Sequence, residues 1–230
     1  MIYDNKKIAI ITCVNDEALY NESLLYIEHL TVPEDMKIEL IEVQQAKSMA
    51  SGYREAMESS DAKYKIYMHQ DCFPCNKNLL HDIVALFKKD KAIGAMGVAG
   101  SGDLSVKKPV WWESQYKYGK IYTIEADEFV KFNEFCQING DYVNAAALDG
   151  LFIATQYDLP WRSDLFDGWH FYDVSQTREF INAGYDVIIP RQEKPWVIHF
   201  TGRKIVDDSY NKYLNIFWKT YCKQFMGEEK

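Results

Sequence analysis

Residues 64–71 of the chain read YKIYMHQD, an apolar run that ends abruptly in a carboxylate. A short apolar and aromatic run bounded by polar residues predicts a buried strand, here over residues 64–68. Asp71 then follows the carboxyl end of that strand. Magnesium in proteins takes one or two carboxylates together with phosphate oxygens. The run therefore indicates a site for a divalent cation and a diphosphate, unless Asp71 only caps the turn before Pro74.

The segments on both sides of this run alternate between strand and helix patterns. Strands are predicted over residues 7–14, 37–43 and 92–99, and helices between residue 17 and Pro33 and over 48–60 and 78–89. Such alternation is typical of an α/β fold with a mostly parallel central sheet and helices on both faces. Ligands of such sheets bind at the carboxyl ends of the strands. Asn15 and Asp71 both follow predicted strands, so both are placed at that edge.

The second half of the chain is less regular. Glycines and scattered aromatic residues over 100–140 indicate a loop region. Strands are predicted over 145–154, 185–189 and 196–199, and a helix over 173–183 that Gly184 ends. The last predicted helix, 206–226, is amphipathic and rich in aromatic residues, which favours packing on the sheet or on a second copy of the chain.

Charge and composition exclude several classes of partner. The formal net charge of the 230 residues is −8, which argues against nucleic acid, because contacts to phosphates need a basic surface. No apolar stretch approaches the roughly 20 residues that span a bilayer. The five cysteines are an odd number without disulfide-framework spacing, which is typical of a reducing compartment. We therefore expect a cytoplasmic protein, at most peripheral to a membrane.

The run 64–71 resembles the strand and DXD-type motif of family-2-like GT-A glycosyltransferases, above all a bacterial glycosyltransferase-like group with His-Gln-Asp at this place. By this resemblance Asp71 takes the position of the second acid and His69 that of the first, so one carboxylate is missing. The resemblance implies a single GT-A domain over residues 1–230. Its nucleotide-binding half covers about 1–100 and its acceptor-side half about 101–205. It also implies a nucleoside-diphosphate sugar, above all a UDP-sugar, and Mn²⁺ or Mg²⁺.

Residues 167–173, DGWHFYD, carry a second part of the resemblance. The family has Glu-Asp here, followed eleven residues after the Asp by the glycine of a Gly-Tyr turn, and Asp173 precedes Gly184 by that distance. Asp173 is thereby implied as the catalytic base, Tyr172 replaces the glutamate, and Asp167 is the rival base. The resemblance also implies inversion at the anomeric carbon. Taken alone, Asp173 and Gln176 equally fit a capping-box-like helix start.

Further candidates follow from the same resemblance, each with a structural alternative. His199, after a late strand, is a candidate third metal ligand or a structural hydrogen-bonding residue. Arg54 is a candidate diphosphate contact or a surface helix charge, and Asp149 is a sugar contact or an ordinary strand-edge residue. The implied donor contacts are Thr12, Asn15, Glu17, Ser48, Arg54, His69, Gln70, Asp71 and Asp149. The implied acceptor contacts, for a glycan or another hydroxyl compound, are Trp169, His170 and Asp149.

Two other classes of function stay open on sequence alone. Cys72 and Cys75 form a CxxC pair that, with His69 and His81, can be read as a zinc or redox site. The two missing acids also permit a non-catalytic nucleotide-sugar or glycan-binding module. Metal-dependent turnover of a nucleotide sugar would separate the enzyme from both alternatives. The aromatic C-terminal helix makes a second copy of the chain a candidate partner.

Overall fold

The structure is a computed structural model that describes residues 2–105, 109–125, 129–202 and 209–225. Strands and helices alternate through the first half as predicted. The helices are α1 (Glu17–Glu28), α2 (Met49–Ser59), α3 (Leu79–Lys89), α4 (Tyr172–Asn182) and α5 (Ser209–Phe225). The strands are β1 (Asp4–Val14), β2 (Lys37–Gln44), β3 (Ala62–Met68), β4 (Cys72–Pro74), β5 (Ile93–Gly97), β6 (Ala99–Ser101), β7 (Lys117–Glu125), β8 (Val130–Glu134), β9 (Tyr142–Asn144), β10 (Ala147–Leu148), β11 (Phe152–Thr155), β12 (Asp186–Pro190) and β13 (Val197–Gly202).

A central sheet of seven strands has the order β2-β1-β3-β11-β5-β12-β9. The pairs β1–β2, β1–β3 and β5–β12 are parallel. Strand β11 is antiparallel to β3 and β5, and β9 is antiparallel to β12. Five of the seven strands thus share one direction, which confirms the mostly parallel sheet. The carboxyl ends of β1 and β3 meet at one edge because Ile10 pairs with Ile66.

Helices cover both faces of this sheet, as predicted. Ile8 and Ile10 of β1 face a core that α1 and α3 complete, whereas Ala9 and Ile11 face a core that α2 and α4 complete. Successive strand residues point to opposite faces. The apolar runs over 7–14 and 64–68 are therefore continuous, because both faces of these strands are buried.

The prediction that residues 100–140 form a loop region is wrong. These residues contribute strands to a second sheet. This sheet has the order β10-β6-β7-β13-β4, and β8 pairs with β7. Strand β7 is parallel to β13 and antiparallel to β6. Gly119 and Ile121 of β7 are buried, while their neighbours are partly exposed. This period of two was hidden because the partly exposed positions carry tyrosines, which are also good strand formers.

Between described strands, the chain crosses from one sheet to the other at four linkers of one to three residues. They lie between β3 and β4, between β5 and β6, between β9 and β10, and between β10 and β11. One continuous strand was predicted over 92–99 and another over 145–154, and both predictions are wrong. A crossing divides each segment into two strands that belong to different sheets. Val98 and Leu151, inside two of the linkers, are fully buried. Apolar periodicity therefore continues through the crossing and does not mark it.

The C-terminal helix α5 packs on its own chain. Phe217 lies 5.5 Å from Phe171, and Tyr213 lies 6.4 Å from Phe166, between ring centroids. Its predicted bounds were 206–226, of which 206–208 and 226 lie outside the described residues. Among the residues that the structure describes, no helix is both long enough and apolar enough to cross a membrane.

Candidate active site

Three candidate metal ligands meet where the chain leaves the central sheet. Strand β3 ends at Met68, and His69 and Asp71 lie in the linker to β4. The Nδ1 atom of His69 and the Nε2 atom of His199 lie 3.8 and 3.7 Å from Oδ1 of Asp71. One ligand atom from each of the three residues lies within 4.8 Å of the others. The predicted trio is therefore brought together.

The Asp71 carboxylate supports a cation at this place. Its Oδ1 atom is buried and finds no hydrogen-bond partner within the described residues. An unpartnered buried carboxylate oxygen is costly unless a cation or a donor compensates it. Two imidazoles and one carboxylate are a donor set that first-row divalent metals accept. The residues present thus fit a divalent cation.

His69 is held by contacts on both sides of its ring. Its Nε2 atom is hydrogen bonded to the hydroxyl of Tyr172, and its Nδ1 atom faces Asp71. Burial lowers the pKa of His69, and the nearby Asp71 charge opposes this shift only in part. The neutral imidazole, which is the form that binds metals, is thereby favoured. Tyr172 was noted in the sequence only as a substitution for glutamate, so this contact was missed.

Asp173 occupies the first turn of α4 and lies half-buried against the β10–β11 linker. Its Oδ2 atom accepts a hydrogen bond from the Gly150 backbone at 3.0 Å, and its Oδ1 atom accepts one from Val174 at 2.8 Å. Burial, and then the charge of Asp149, raise the pKa of Asp173 to about 7. A carboxyl group with such a pKa can exchange a proton near neutral pH.

The capping-box interpretation of this helix start is wrong. Helix α4 begins at Tyr172, its N-cap residue is Phe171 with φ of 61°, and no side chain caps it. Gln176 instead donates a hydrogen bond to the Leu159 carbonyl at 2.8 Å. Phe171 adopts this left-handed conformation while packed against Tyr210 and Phe217. Asp173 is thereby left free of a capping role.

Contacts connect the metal-ligand trio to Asp173. Asp71 faces His69, the His69 ring contacts Tyr172, and Tyr172 is the neighbour of Asp173 in α4. The linker residue Asp149 is anchored by a hydrogen bond from the Leu151 backbone at 3.0 Å. Beside burial, the charge of Asp149 affects the pKa of both His69 and Asp173, so Asp71 and Asp173, a hundred residues apart in the chain, belong to one polar cluster.

A cavity of about 220 Å³ opens beside Asp71 at the carboxyl ends of β1 and β3. Five of the predicted contacts line it, namely Asn15, His69, Gln70, Asp71 and Trp169. Cys13, Val14, Gln45, Ala46 and Met49 complete its wall. Gln45 and Ala46 were not predicted as part of the site, because their only signal is a turn after β2 where Gln45 adopts φ of 54°.

Gln70 joins two walls of this cavity. Its Oε1 atom accepts hydrogen bonds from the backbones of Asn15 and Asp16, and its Nε2 atom donates one to the Asn15 side chain at 2.6 Å. The amide is therefore engaged with the β1–α1 turn. We conclude that Gln70 shapes the cavity by holding that turn in place.

Five other predicted donor contacts, Asp149 among them, lie outside the residues that line this cavity. Thr12 is buried, and Glu17 is exposed in the first turn of α1. Ser48 caps α2 in a capping box with Ser51. Arg54 pairs with Glu58 one turn along the same helix at 2.9 Å. The structural alternatives account for the observed contacts of Ser48 and Arg54.

The rival base Asp167 is tied to the C-terminal helix. Its Oδ1 atom accepts hydrogen bonds from Tyr213 at 2.8 Å and Lys212 at 2.9 Å. The bond from Lys212 is the main reason that the pKa of Asp167 is lowered. A carboxylate with a lowered pKa is a weaker base than Asp173.

The aromatic acceptor candidates are arranged differently. Trp169 is 43% exposed and lines the cavity. His170 packs against Tyr210 of α5, with ring centroids 5.4 Å apart. Burial, and then the charge of Asp173, raise the pKa of Tyr210 to about 12. Helix α5 therefore borders the side of the cluster that holds Asp173.

The cysteine pair does not join the metal-ligand trio. Cys72 is fully buried in β4, and the thiol of Cys75 contacts the Pro195 carbonyl. His81, the other residue of the zinc reading, is exposed on α3. Within the described ranges, the trio of His69, Asp71 and His199 is the only ligand cluster found. The zinc interpretation of CxxC is therefore not supported, and burial raises the pKa of both the Cys72 and the Cys75 thiol, which disfavours a redox role.

Comparisons with known proteins agree with the fold. A family model described as "Glycosyltransferase like family" matches residues 9–221. A search among curated proteins gave no match.

Three similar solved structures illustrate the fold. The mannosyltransferase PcManGT of Pyrobaculum calidifontis, in complex with GDP-Man and Mn²⁺, has a TM-score of 0.52 and 13% identity over 92% of this chain and 60% of its own. TarS 1–349 of S. aureus in complex with UDP has a TM-score of 0.56 and 9% identity over 84% and 60%. GalNAc-T7 with UDP, GalNAc and Mn²⁺ has a TM-score of 0.53 and 9% identity over 95% and 50%. The chain thus spans about 60% of the first of these structures, and identities this low show a shared GT-A fold only.

Proposed function

Because the chain belongs to the glycosyltransferase-like family, whose model covers residues 9–221, we propose that it transfers a sugar from a nucleoside-diphosphate sugar to an acceptor hydroxyl group. The observation that carries this proposal is the polar cluster that joins Asp71, His69 and His199 to Asp173. A cation-binding trio and a base of raised pKa in one cluster are the two requirements of metal-assisted displacement at a sugar carbon.

The donor would lie in the cavity beside Asp71. The apolar side chains of Val14, Ala46 and Met49 offer contacts to a nucleobase, and His69 and Asp71 of the trio line the same cavity. His69, Asp71 and His199 would hold the cation, which when bound would neutralise charge on the departing nucleoside diphosphate. We propose a UDP-sugar as the donor, on the resemblance, and Mn²⁺ or Mg²⁺ as the cation.

Asp173 would act as the base. The acceptor oxygen attacks the anomeric carbon as Asp173 accepts the hydroxyl proton, and the bond from that carbon to the diphosphate oxygen breaks with both electrons leaving on the diphosphate. A single displacement of this kind inverts the anomeric carbon. Trp169 and the surface beside α5 would hold the acceptor, for which we propose a glycan, since an exposed indole offers a flat apolar face to a sugar ring.

We also propose that the two halves of the chain bind different substrates, as the resemblance implies. Residues of about 1–100 would bind the donor, and those of about 101–205 would bind the acceptor. All five cysteines are free thiols, which agrees with a reducing compartment. The alternative, a non-catalytic binding module of the same fold, shares the donor cavity and differs only in turnover.

A thermal-shift panel of UDP, GDP and ADP with and without Mn²⁺ tests donor binding. A ligand at a hundred times its Kd stabilises the folded state by about 2.7 kcal/mol, which in a chain of this size raises Tm by roughly 5–10 °C. We expect this rise with one nucleotide and only when Mn²⁺ is present. The proposal fails if no nucleoside diphosphate raises Tm. Stabilisation without release of the diphosphate from its sugar, for any acceptor tested, would instead favour the binding module.

Replacing Gly150 with alanine should reduce turnover by about 10²-fold, because misplacing catalytic groups by roughly 1 Å has such an effect. A Cβ atom at Gly150 would lie 2.2 Å from the Tyr172 hydroxyl and 3.0 Å from Cβ of Asp173. Both side chains would have to move. The measurement is kcat of the folded variant with the donor identified by the panel.

Gly94→Ala is the matched control for this variant. Its Cβ atom would lie 2.6 Å from Phe180 and from Tyr185, both outside the polar cluster. Overpacking of this kind costs about 1–3 kcal/mol of stability. We expect both variants to lower Tm and only Gly150→Ala to lower kcat. Equal kcat values for the two would show that the clash at Gly150 does not displace the catalytic groups.

A further inference from the structure

Tyr172 is a buried tyrosine whose hydroxyl contacts a candidate metal ligand. Its side chain is 4% exposed, and its hydroxyl is hydrogen bonded to Nε2 of His69. Its ring packs beside Tyr53 and Trp161, with centroids 6.0 and 6.2 Å away. The aromatic packing fixes where the hydroxyl lies, and the hydroxyl in turn fixes the His69 ring.

An imidazole that binds a metal through one nitrogen needs a partner for the other. That partner selects the tautomer and the orientation of the ring, and it is usually a carboxylate, a carbonyl or water. In His69, Nδ1 faces Asp71 at 3.8 Å and Nε2 faces Tyr172. With Nδ1 as the ligand atom, Nε2–H donates its hydrogen bond to the tyrosine oxygen.

We propose that Tyr172 is the positioning residue that holds the His69 ring in the tautomer and orientation required for metal binding. This inference rests on the proposed function, since it assumes that the trio binds a divalent cation. Tyr172 stands where the resembling family has the glutamate of its Glu-Asp pair.

The neutral tyrosine also suits the charges around it. Asp149 and Asp173 both lie close enough for their charges to contribute to raising the pKa of Tyr172, although burial is the larger cause. A glutamate at this place would add a third carboxyl group beside these two half-buried acids. The hydroxyl instead offers His69 a hydrogen-bond acceptor without adding charge.

Tyr172→Phe removes the hydroxyl and keeps the ring. We expect the Kd for Mn²⁺, measured by isothermal titration calorimetry without nucleotide, to rise about 10–100-fold, which is the usual effect of losing an outer partner of a metal ligand. The matched control is Tyr53→Phe. Tyr53 is fully buried in the same aromatic group, and its hydroxyl has no hydrogen-bond partner within the described residues. Loss of the Tyr53 hydroxyl should change the Kd for Mn²⁺ less than twofold.

A double-mutant cycle separates positioning from a general packing effect. If Tyr172 acts through His69, adding Tyr172→Phe to His69→Ala should weaken Mn²⁺ binding no further, whereas a packing effect would add to it. Additive effects, or wild-type Mn²⁺ affinity in Tyr172→Phe, would overturn the proposal. If Tyr172→Phe does not fold, Gly150→Ala serves in the same cycle, because its Cβ atom displaces the same hydroxyl.

These outcomes are distinct from failure of the proposed function. If the wild-type chain binds no Mn²⁺, the metal-dependent proposal itself is wrong. If the wild type binds Mn²⁺ and Tyr172→Phe binds it equally well, only the role of Tyr172 is refuted. We also expect saturating Mn²⁺ to restore most of kcat in Tyr172→Phe, because the base Asp173 is unchanged. A loss of kcat that saturating Mn²⁺ does not restore would place Tyr172 in the chemical step instead.

Discussion

Replacing Asp173 with asparagine should lower kcat for sugar transfer by about 10³-fold, within the range that general-base catalysis contributes. Asparagine keeps the size of the side chain and one of the two acceptor atoms that Gly150 and Val174 use. It cannot accept the proton of the acceptor hydroxyl. Binding of nucleotide and Mn²⁺ should be unchanged, since the cavity beside Asp71 is not altered. The measurement is steady-state kinetics, with the thermal shift as the check on binding.

The pH dependence gives an independent test of the same residue. The pKa of Asp173 is raised to about 7, so the carboxylate is lost as pH falls through 7, and kcat/KM of the wild type should fall tenfold per pH unit below that point. Stability should change in the opposite direction. Between about pH 4 and 7 the folded state keeps a proton that the unfolded state has released, so stability decreases as pH rises through this window. Both dependences should be absent in Asp173→Asn.

The rival base decides how the first result is interpreted. If Asp167→Asn loses kcat while Asp173→Asn retains it, the assignment of the base is reversed. We expect the reverse pattern, because Asp167 already accepts hydrogen bonds from Lys212 and Tyr213 and its pKa is lowered.

Replacing Asp71 with asparagine should have opposite effects on the free and the Mn²⁺-bound protein. Oδ1 of Asp71 is buried and without a hydrogen-bond partner within the described residues, so its charge destabilises the metal-free chain. Asp71→Asn should therefore raise Tm without metal by a few degrees, at roughly 2–4 °C per kcal/mol. Mn²⁺ affinity should fall at least about 10²-fold, more than the loss of an outer partner causes, and turnover should fall with it.

His81→Gln is the control for this variant. His81 is an exposed histidine on α3, and the zinc reading of CxxC included it. Neither Tm nor Mn²⁺ affinity should change in this variant. Wild-type Mn²⁺ affinity in Asp71→Asn would refute the metal site, and a loss in His81→Gln would return the metal to the cysteine pair.

The central sheet and its covering helices could be predicted from the sequence better than the second sheet. Buried strands such as 7–14 and amphipathic helices such as 78–89 have a strong apolar period, so their structure follows from local pattern. Strand β7 and the crossings near Val98 and Leu151 do not. Their positions depend on which distant strands pair with them, and the apolar residues continue unchanged from one sheet to the next.

The residues of the site were predictable where they end strands. Asp71 and Asn15 follow β3 and β1, and the structure places both at one cavity. Tyr172 and Gly150 could not be found from the sequence, because their importance lies in contacts between segments far apart in the chain. Ser48 and Arg54 lie in the segment that was predicted to contact the donor. In the structure Ser48 contacts Ser51, and Arg54 pairs with Glu58. Only three-dimensional packing decides in which direction a helical side chain points.

The ligand trio spans the junction between the two sheets. Asp71 stands in the linker that leaves the central sheet, whereas His199 belongs to β13 of the second sheet. A bound cation would therefore link a residue at the edge of the central sheet to a strand of the second sheet. A small displacement of one sheet relative to the other would change the 3.7 Å distance between Oδ1 of Asp71 and Nε2 of His199. Substitutions in β7 or β4, the two strands that pair with β13 at His199, would then change cation affinity without replacing a coordinating residue.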